Sequence, residues 1–228
     1  MRDYLFKKTV MEKDKIVVLL DNGHAKNTTG KQSPQLPQNL KDKYGIDIFK
    51  EYKYNRIIVS KLISELSNKY GIEVFDVTPE EVEDIKLTER ANRANQRIDE
   101  AKKQGKKCLF ISCHVNAAST NGWSNASGWS VWTTKGQTNS DDFAECLYDA
   151  AKEILEPLGE RVRSDMQDKD HDYEENFTVI YKTQCPAVLI EMFFMDNQHD
   201  VDFLLSEKGM QANTDIIIKG ILSYVKQM

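Results

Sequence analysis

The hydrophobic pattern of this chain is dominated by three short, continuous apolar runs, and each one leads into a residue type that binds metal ions. The runs and the residues that follow them are 16–21 before His24, 109–113 before His114, and 187–190 before Glu191. Continuous runs of this length are typical of strands that are buried on both faces, as in a parallel sheet. Because ligands of such sheets bind just beyond the carboxyl ends of the strands, the pattern predicts a site that contains these three side chains.

The rest of the pattern alternates helices with strands. Apolar residues at helical spacing predict helices over about residues 48–70, 87–104, 141–155 and 210–226. Further strands are predicted at residues 72–77, 128–134 and 177–182, and a capping box at Thr78 predicts the start of a short helix. This alternation predicts an α/β fold, with a twisted, mostly parallel sheet, helices on both faces and the site at the carboxyl ends of the strands.

The chain is expected to form a single domain over residues 16–228, because no internal repeat or low-complexity linker interrupts it. Residues 1–15 are predicted to be a short polar lead-in. Residues 22–45 are rich in Gly, Asn, Thr, Ser, Pro and Gln and are predicted to form a long loop over a strand end. Long loops in compact domains are usually functional or disordered.

Composition narrows the range of functions without choosing one. Hydrophobic residues make up 40% of the 228 residues and charged residues 29%, as in an ordinary soluble globular protein. The net charge of −5 argues against nucleic acid as a partner, since broad binding to phosphates requires a basic surface. Nothing in the sequence specifies an oligomeric state.

The N-terminus and the cysteines indicate a reducing compartment. Residues 1–15 are too charged for a signal peptide, and no segment approaches the roughly 18 apolar residues of a membrane span. The cysteines contain no C-x-x-C pair and are interpreted as free thiols in a reduced protein; they are Cys108, Cys113, Cys146 and Cys185. We therefore expect a cytoplasmic protein without membrane insertion, which would act outside the cell only after release or export.

Three polar residues form a set that suits zinc. His24 and His114 end strands, and Glu51 lies in the first turn of a long helix. Two histidines and one carboxylate are a catalytic type of zinc set, in which the fourth position is left for water. Each residue also has an ordinary interpretation, since a lone histidine is usually a satisfied polar group and a first-turn glutamate favours the helix dipole. Glu191 is harder to explain in this way, because a carboxylate between two apolar runs is costly to bury without a partner.

Five segments of the chain, taken in order, match one enzyme family. They are residues 20–24 (LDNGH), Glu51 with Asn55, residues 87–95 (LTERANRAN), residues 110–117 (FISCHVNA) and residues 186–197 (PAVLIEMFFMDN). On these segments, the chain resembles the zinc-dependent N-acetylmuramoyl-L-alanine amidases of the amidase-3 type over about residues 16–225. Asn22 stands where the family usually has proline and Ala25 where it usually has glycine, and residues 159–176 do not align.

The resemblance implies a peptidoglycan hydrolase that cleaves the amide bond between N-acetylmuramic acid and L-alanine of the stem peptide. His24, Glu51 and His114 would then bind one Zn²⁺ per chain. Glu191 would be the catalytic glutamate that takes a proton from the attacking water. Residues 16–228 would form the zinc amidase catalytic domain, either of a phage endolysin or of an exported bacterial hydrolase.

Two other functions remain open at this point. One is a different zinc peptidase on a similar sheet, such as a carboxypeptidase. Such an enzyme usually has an arginine clamp for a terminal carboxylate, which the sequence does not single out. The other is a non-catalytic wall-binding module, which would be expected to have lost a metal ligand or the glutamate.

The remaining polar candidates are given structural interpretations. The acidic run at residues 168–175, around His171, is interpreted as a solvated loop. A second cation site is the alternative, although the run lacks the glycine of an EF-hand loop. His199 is expected at the surface near a helix start. Arg90 and Asn92, which the resemblance places near the site, are interpreted as packing and capping residues.

Overall fold

The computed structural model describes residues 15–228, so the predicted lead-in at residues 1–15 lies outside the described residues except for Lys15. The strands are β1 (Ile16–Asn22), β2 (Glu73–Asp76), β3 (Lys107–Asn116), β4 (Ser130–Thr133), β5 (Tyr173–Glu174) and β6 (Ala187–Phe194). The helices are α1 (Gln38–Tyr44), α2 (Glu51–Tyr70), α3 (Leu87–Lys103), α4 (Asn139–Leu155), α5 (Thr178–Tyr181), α6 (Gln198–Leu205) and α7 (Glu207–Gln227).

The strands form one six-stranded sheet in the order β2-β1-β3-β6-β4-β5. β1 runs parallel to β2 and β3, and β3 runs parallel to β6, whereas β4 is antiparallel to β6 and parallel to β5. The predicted mostly parallel α/β sheet is therefore confirmed. Within the sheet, Asn22 pairs with Cys113 and His114 pairs with Glu191. The carboxyl ends of β1, β3 and β6 thus lie side by side at one edge.

Alternate residues of the central strands face two hydrophobic cores. Val18 and Leu20 of β1 belong to the larger core, together with Leu62 of α2, Phe143 of α4 and Ile217 of α7. Their neighbours in β1 belong to a smaller core with α3 and α5, whose members include Val17, Leu19, Ala94, Ile98, Val179 and Ile180. Burial on both faces explains why β1 is a continuous apolar run rather than an alternating one.

Two predicted elements are wrong. The segment after Thr78 is not helical, because the Thr78 hydroxyl instead accepts a hydrogen bond from the backbone N–H of Asn22 and donates one to Asp21. The predicted strand at residues 177–182 is the short helix α5, which packs its apolar side chains onto the smaller core. A short apolar run fits either type of element, so its packing decides.

Two short helices were not predicted from the sequence. α1 lies within the predicted loop at residues 22–45, and α6 immediately precedes α7. His199 is the second residue of α6 and is exposed, as expected. The four cysteines are free, and Cys185 alone among them is partly exposed. No helix within residues 15–228 is both long and apolar enough to cross a bilayer.

Candidate metal centre

His24 lies in a tight turn at the end of β1. A Cβ atom added to Gly23 would lie 2.5 Å from the carbonyl oxygen of Cys113 and 2.5 Å from the His114 ring. Glycine is therefore required here by the close approach of β3. The left-handed residue is His24 itself, with a φ of 63°. Such a conformation at a residue other than glycine costs free energy and persists only where the surroundings enforce it.

Helix α2 enforces that turn and supplies the carboxylate. Asn55 donates a hydrogen bond to the Gly23 carbonyl at 3.0 Å, and Arg56 donates one to the His24 carbonyl at 2.8 Å. Glu51, one turn earlier, begins the helix and is only 1% exposed. A carboxylate at this depth needs partners, and they come from β3 and from the turn after β1.

Glu51 lies between two histidines. Its Oε1 is 3.1 Å from His114 Nδ1 and accepts a hydrogen bond from the Val115 N–H at 3.0 Å. Its Oε2 is 3.6 Å from His24 Nε2, and the two histidine rings meet edge to face with centroids 4.9 Å apart. One potential ligand atom from each of His24, Glu51 and His114 lies within 4.8 Å of the others. The structure thus brings together the three residues that the sequence analysis singled out.

The electrostatics of this group favour an ionised carboxylate and at least one neutral imidazole. Burial lowers the pKa of His24 to about 4. Burial alone would raise the pKa of Glu51, but the hydrogen bond and charge of His114, together with His24, hold it below its usual value. Burial also acts against the charged form of His114, and the adjacent Glu51 carboxylate outweighs it and raises that pKa. Neutral imidazole and ionised carboxylate are the states that bind metal ions.

Glu191 faces this group from the neighbouring strand. It pairs with His114 across β3 and β6, and paired residues of adjacent strands project to the same face of a sheet. Its Oε2 is buried and has no hydrogen-bond partner among the described residues. Burial raises the pKa of Glu191 to about 8; the charge on His114 opposes this shift, and the Glu51 carboxylate adds to it.

The backbone beyond Glu191 is constrained as closely as the turn after β1. Phe193 has a φ of 67°, a second left-handed residue at the same edge of the sheet. The buried Asp200 carboxylate accepts the N–H groups of Gly128 at 3.1 Å and Phe194 at 3.0 Å. These contacts fix the strand end that carries Glu191 against the loop that precedes β4.

The family of the protein follows from comparison of the whole chain. Residues 18–223 match the N-acetylmuramoyl-L-alanine amidase family, a span that includes both histidines and both glutamates. The chain belongs to this family. A crystal structure of N-acetylmuramoyl-L-alanine amidase from Clostridium difficile 630 has the same fold, with a TM-score of 0.73 and 24% identity over 93% of this chain and 98% of that one.

Two curated relatives match about nine tenths of this chain. The chain is 26% identical over 209 residues to a probable cell wall amidase, LytH, of Staphylococcus epidermidis. The matched region makes up 91% of this chain and 57% of that protein. The chain is also 27% identical over 207 residues to an endolysin of Bacillus phage SPP1. That matched region makes up 90% of this chain and 64% of the endolysin. The chain thus spans less than two thirds of the length of either relative.

An ion-pair network behind the centre was not predicted from the sequence. Arg90, interpreted above as a packing residue, is buried and donates hydrogen bonds to Asp21 and to the Asn22 carbonyl, both at 2.8 Å. Its other arm lies 2.5 Å from Asp84, whose Oδ2 is in turn 3.7 Å from His24 Nδ1. The network therefore reaches His24 through its second ring nitrogen. Asp84 lies where a helix was predicted, and no pattern marked it.

One open cavity is lined in part by the centre itself, and a second lies between the loop that follows His24 and the loop that follows β3. The smaller, of about 380 Å³, is lined by both histidines, Thr28, Arg90 and residues 84–87. The larger, of about 560 Å³, is lined mainly by residues 29–34 and 117–120. Its lining consists largely of small and polar side chains, which suits an extended polar ligand rather than a compact apolar one.

Proposed function

We propose that this chain is a zinc-dependent peptidoglycan hydrolase that cleaves the amide bond between N-acetylmuramic acid and L-alanine of the stem peptide. The observation that carries the proposal is the convergence of His24, Glu51 and His114 beside Glu191. Membership of the N-acetylmuramoyl-L-alanine amidase family supports the same reaction.

The donor set fits zinc. Two imidazole nitrogens and one carboxylate oxygen are ligands that zinc prefers in catalytic sites, where a fourth position is kept for water or substrate. Glu51 Oε2 is buried and has no hydrogen-bond partner among the described residues, and a cation would compensate it. Asp84 beside His24 Nδ1 is the kind of carboxylate partner that orients ligating histidines. When bound, zinc supplies a Lewis acid that polarises a carbonyl group and lowers the pKa of water.

Glu191 is proposed to move the proton. Its unpartnered Oε2 would take a proton from the attacking water while the new C–O bond forms at the amide carbon. The same carboxyl group would then donate this proton to the leaving nitrogen while the C–N bond breaks. The products are a lactyl carboxyl group on the sugar and a free amine on L-alanine. A carboxyl group whose pKa is raised by burial can hold a proton for that second step.

The remaining residues around the centre would orient the metal-binding histidines and bind the substrate. Arg90 would keep Asp84 against His24, and the turn at Gly23 would keep the two imidazoles apart at a fixed distance. The larger cavity would accept the extended peptide or glycan on one side of the scissile amide. The relatives described as a cell wall amidase and an endolysin support the bacterial wall as the substrate.

Digestion of purified peptidoglycan by the zinc-loaded protein, followed by mass spectrometry, tests the proposal. We expect stem peptides with a new free L-alanine N-terminus and glycan strands with intact sugars. Release of single C-terminal amino acids would instead indicate a carboxypeptidase. Binding to the wall without any cleavage would indicate a non-catalytic module, and either result would contradict the proposal.

A further inference from the structure

A second group of acidic residues converges near the end of β4, away from the centre described above. Asp141 lies in the first turn of α4, and Asp170 and Asp172 lie in the segment that leads to β5. One carboxylate oxygen from each lies within 4.8 Å of the others. Because β4 runs antiparallel to β6, its last residue, Thr133, is at the opposite end of that strand pair from Glu191.

Each of these carboxylates is satisfied on one oxygen only. Asp172 Oδ2 accepts a hydrogen bond from the Thr133 hydroxyl, and Asp141 Oδ2 accepts one from the Thr138 N–H. Asp170 Oδ2 accepts one from the Gln137 side chain at 2.8 Å. The three Oδ1 atoms are all buried and have no hydrogen-bond partner among the described residues. The protein therefore orients three carboxylates and leaves one oxygen of each free.

No cationic side chain among the described residues balances the charge of this cluster. Asp172 is 1% exposed and Asp141 is 5% exposed, so the acidic run is not simply a solvated loop. Within residues 15–228, no lysine, arginine or histidine forms an ion pair with any of the three carboxylates. The start of α4 offers a partial positive charge to Asp141 alone. Buried carboxylates at such a separation are costly unless a cation lies between them or one of them takes up a proton.

We propose that Asp141, Asp170 and Asp172 form a Ca²⁺ site that fixes residues 159–174 against β4 and α4. The donor set is entirely oxygen, which calcium prefers and which distinguishes the cluster from the imidazole-rich centre. The three free carboxylate oxygens are at most half of the roughly six to eight oxygens that calcium binds, and backbone carbonyls or water would supply the others. Asp170 is partly exposed, which leaves a path for the ion from solvent.

The segment that the ion would fix also reaches the other end of the sheet. Val162 bridges to Trp129, and the Arg163 guanidinium lies 4.9 Å from the centre of the Tyr173 ring and 5.1 Å from that of Phe194, at the end of β6. An ion at this site would therefore stabilise the outer edge of the sheet, where residues 159–174 pack against β4. The inference does not depend on the proposed amidase activity, since it uses none of the residues of the zinc centre.

Thermal unfolding of the zinc-loaded protein with and without 5 mM CaCl₂, about the concentration that saturates weak sites, tests the inference. We expect Ca²⁺ to raise the Tm of the wild type by about 5 °C. Asp172→Asn and Asp170→Asn should each lose this shift, and Asp168→Asn should keep it. Asp168 is the matched control, because it lies in the same segment and is exposed. Asp170→Asn serves as a second variant because its side chain is less buried than that of Asp172.

The same experiment can overturn the inference. Absence of a Tm shift in the wild type would exclude the site, and an equal shift with MgCl₂ would exclude the assignment to calcium. Equal loss of the shift in Asp168→Asn would show that Ca²⁺ acts on overall charge instead. Glu51→Gln should still show the shift with Ca²⁺, whatever its effect on wall cleavage, so failure of this inference and failure of the proposed function are distinguishable.

Discussion

Glu51 of the metal centre and Asp172 of the aspartate cluster are buried to the same depth, but their charges are balanced in opposite ways. Glu51 is 1% exposed and lies between two imidazoles, which hold its pKa below the usual value against the effect of burial. Asp172 is also 1% exposed, and burial raises its pKa to about 7, with the charges of Asp170 and Asp141 adding to the shift. Equal burial therefore leads to opposite shifts, because the neighbours differ.

This contrast indicates what each cluster needs from a cation. Around Glu51 the protein supplies imidazole nitrogens, a buried arginine network and enforced backbone turns, so a cation would complete a chemical site. Around Asp172 the protein supplies only oxygens, so a cation would chiefly provide charge balance. Metal removal should then affect turnover at the first cluster and stability at the second.

Removal of zinc is expected to have the largest effect. Treatment with a chelator should abolish release of L-alanine N-termini from peptidoglycan, because the amide carbonyl would lose its Lewis acid. Zn²⁺ should restore turnover, whereas Ca²⁺ alone should not, since calcium is bound poorly by imidazole. Labelling of free amino groups measures both results. Recovery with calcium alone would remove the distinction between the two clusters.

Substitution of the proposed base, Glu191, is expected to cause the second largest loss of turnover. Glu191→Gln keeps the shape of the side chain but cannot accept the proton, so kcat/KM should fall by about 10²–10⁴-fold. Zinc content, measured by elemental analysis, should stay near that of the wild type. Glu175→Gln is the control, because Glu175 is exposed in the acidic run. Wild-type turnover in Glu191→Gln would show that another group moves the proton.

The sheet and the convergence of its polar residues could be predicted from the sequence. Continuous apolar runs indicate strands buried on both faces, and parallel strands share one edge, so His24, His114 and Glu191 had to lie near one another. Glu51 was placed by its position at a helix start together with the family resemblance. Its role as a ligand, like that of Glu191 as a base, stays a prediction.

The features that could not be predicted depend on contacts between distant segments. Thr78 has the sequence of a helix cap, but the end of β1 uses its hydroxyl. Asp84 and the cluster around Asp172 acquire their neighbours only when separate loops fold together, and no local periodicity records that arrangement. The requirement for Gly23 likewise comes from the His114 ring on another strand.

The buried Arg90 offers a smaller test of how firmly the proposed zinc site is organised. Arg90→Lys keeps the charge but loses the fork that holds Asp21 and Asp84 together, so zinc affinity or kcat/KM should fall by about 10–100-fold. Arg97→Lys, on the same helix but paired with partly exposed glutamates, should change neither quantity. Equal effects in both variants would indicate general loss of stability in α3.

The smallest expected effect concerns the neutral hydroxyl at the same end. Thr78→Val leaves the buried Asn22 N–H without an acceptor and should lower the free energy of unfolding by about 1–3 kcal/mol, measured by urea denaturation. If Thr78 instead began a helix with a capping box, the Glu81 carboxylate would complete the box, and Glu81→Ala would lower the free energy of unfolding by a similar amount. In the structure Glu81 is exposed, its side chain forms no hydrogen bond with the residues that the structure describes, and its backbone carbonyl accepts one from the Lys26 N–H at 2.8 Å. Glu81→Ala should therefore change stability by less than about 0.5 kcal/mol, and equal losses in the two variants would favour the cap over the contact with β1.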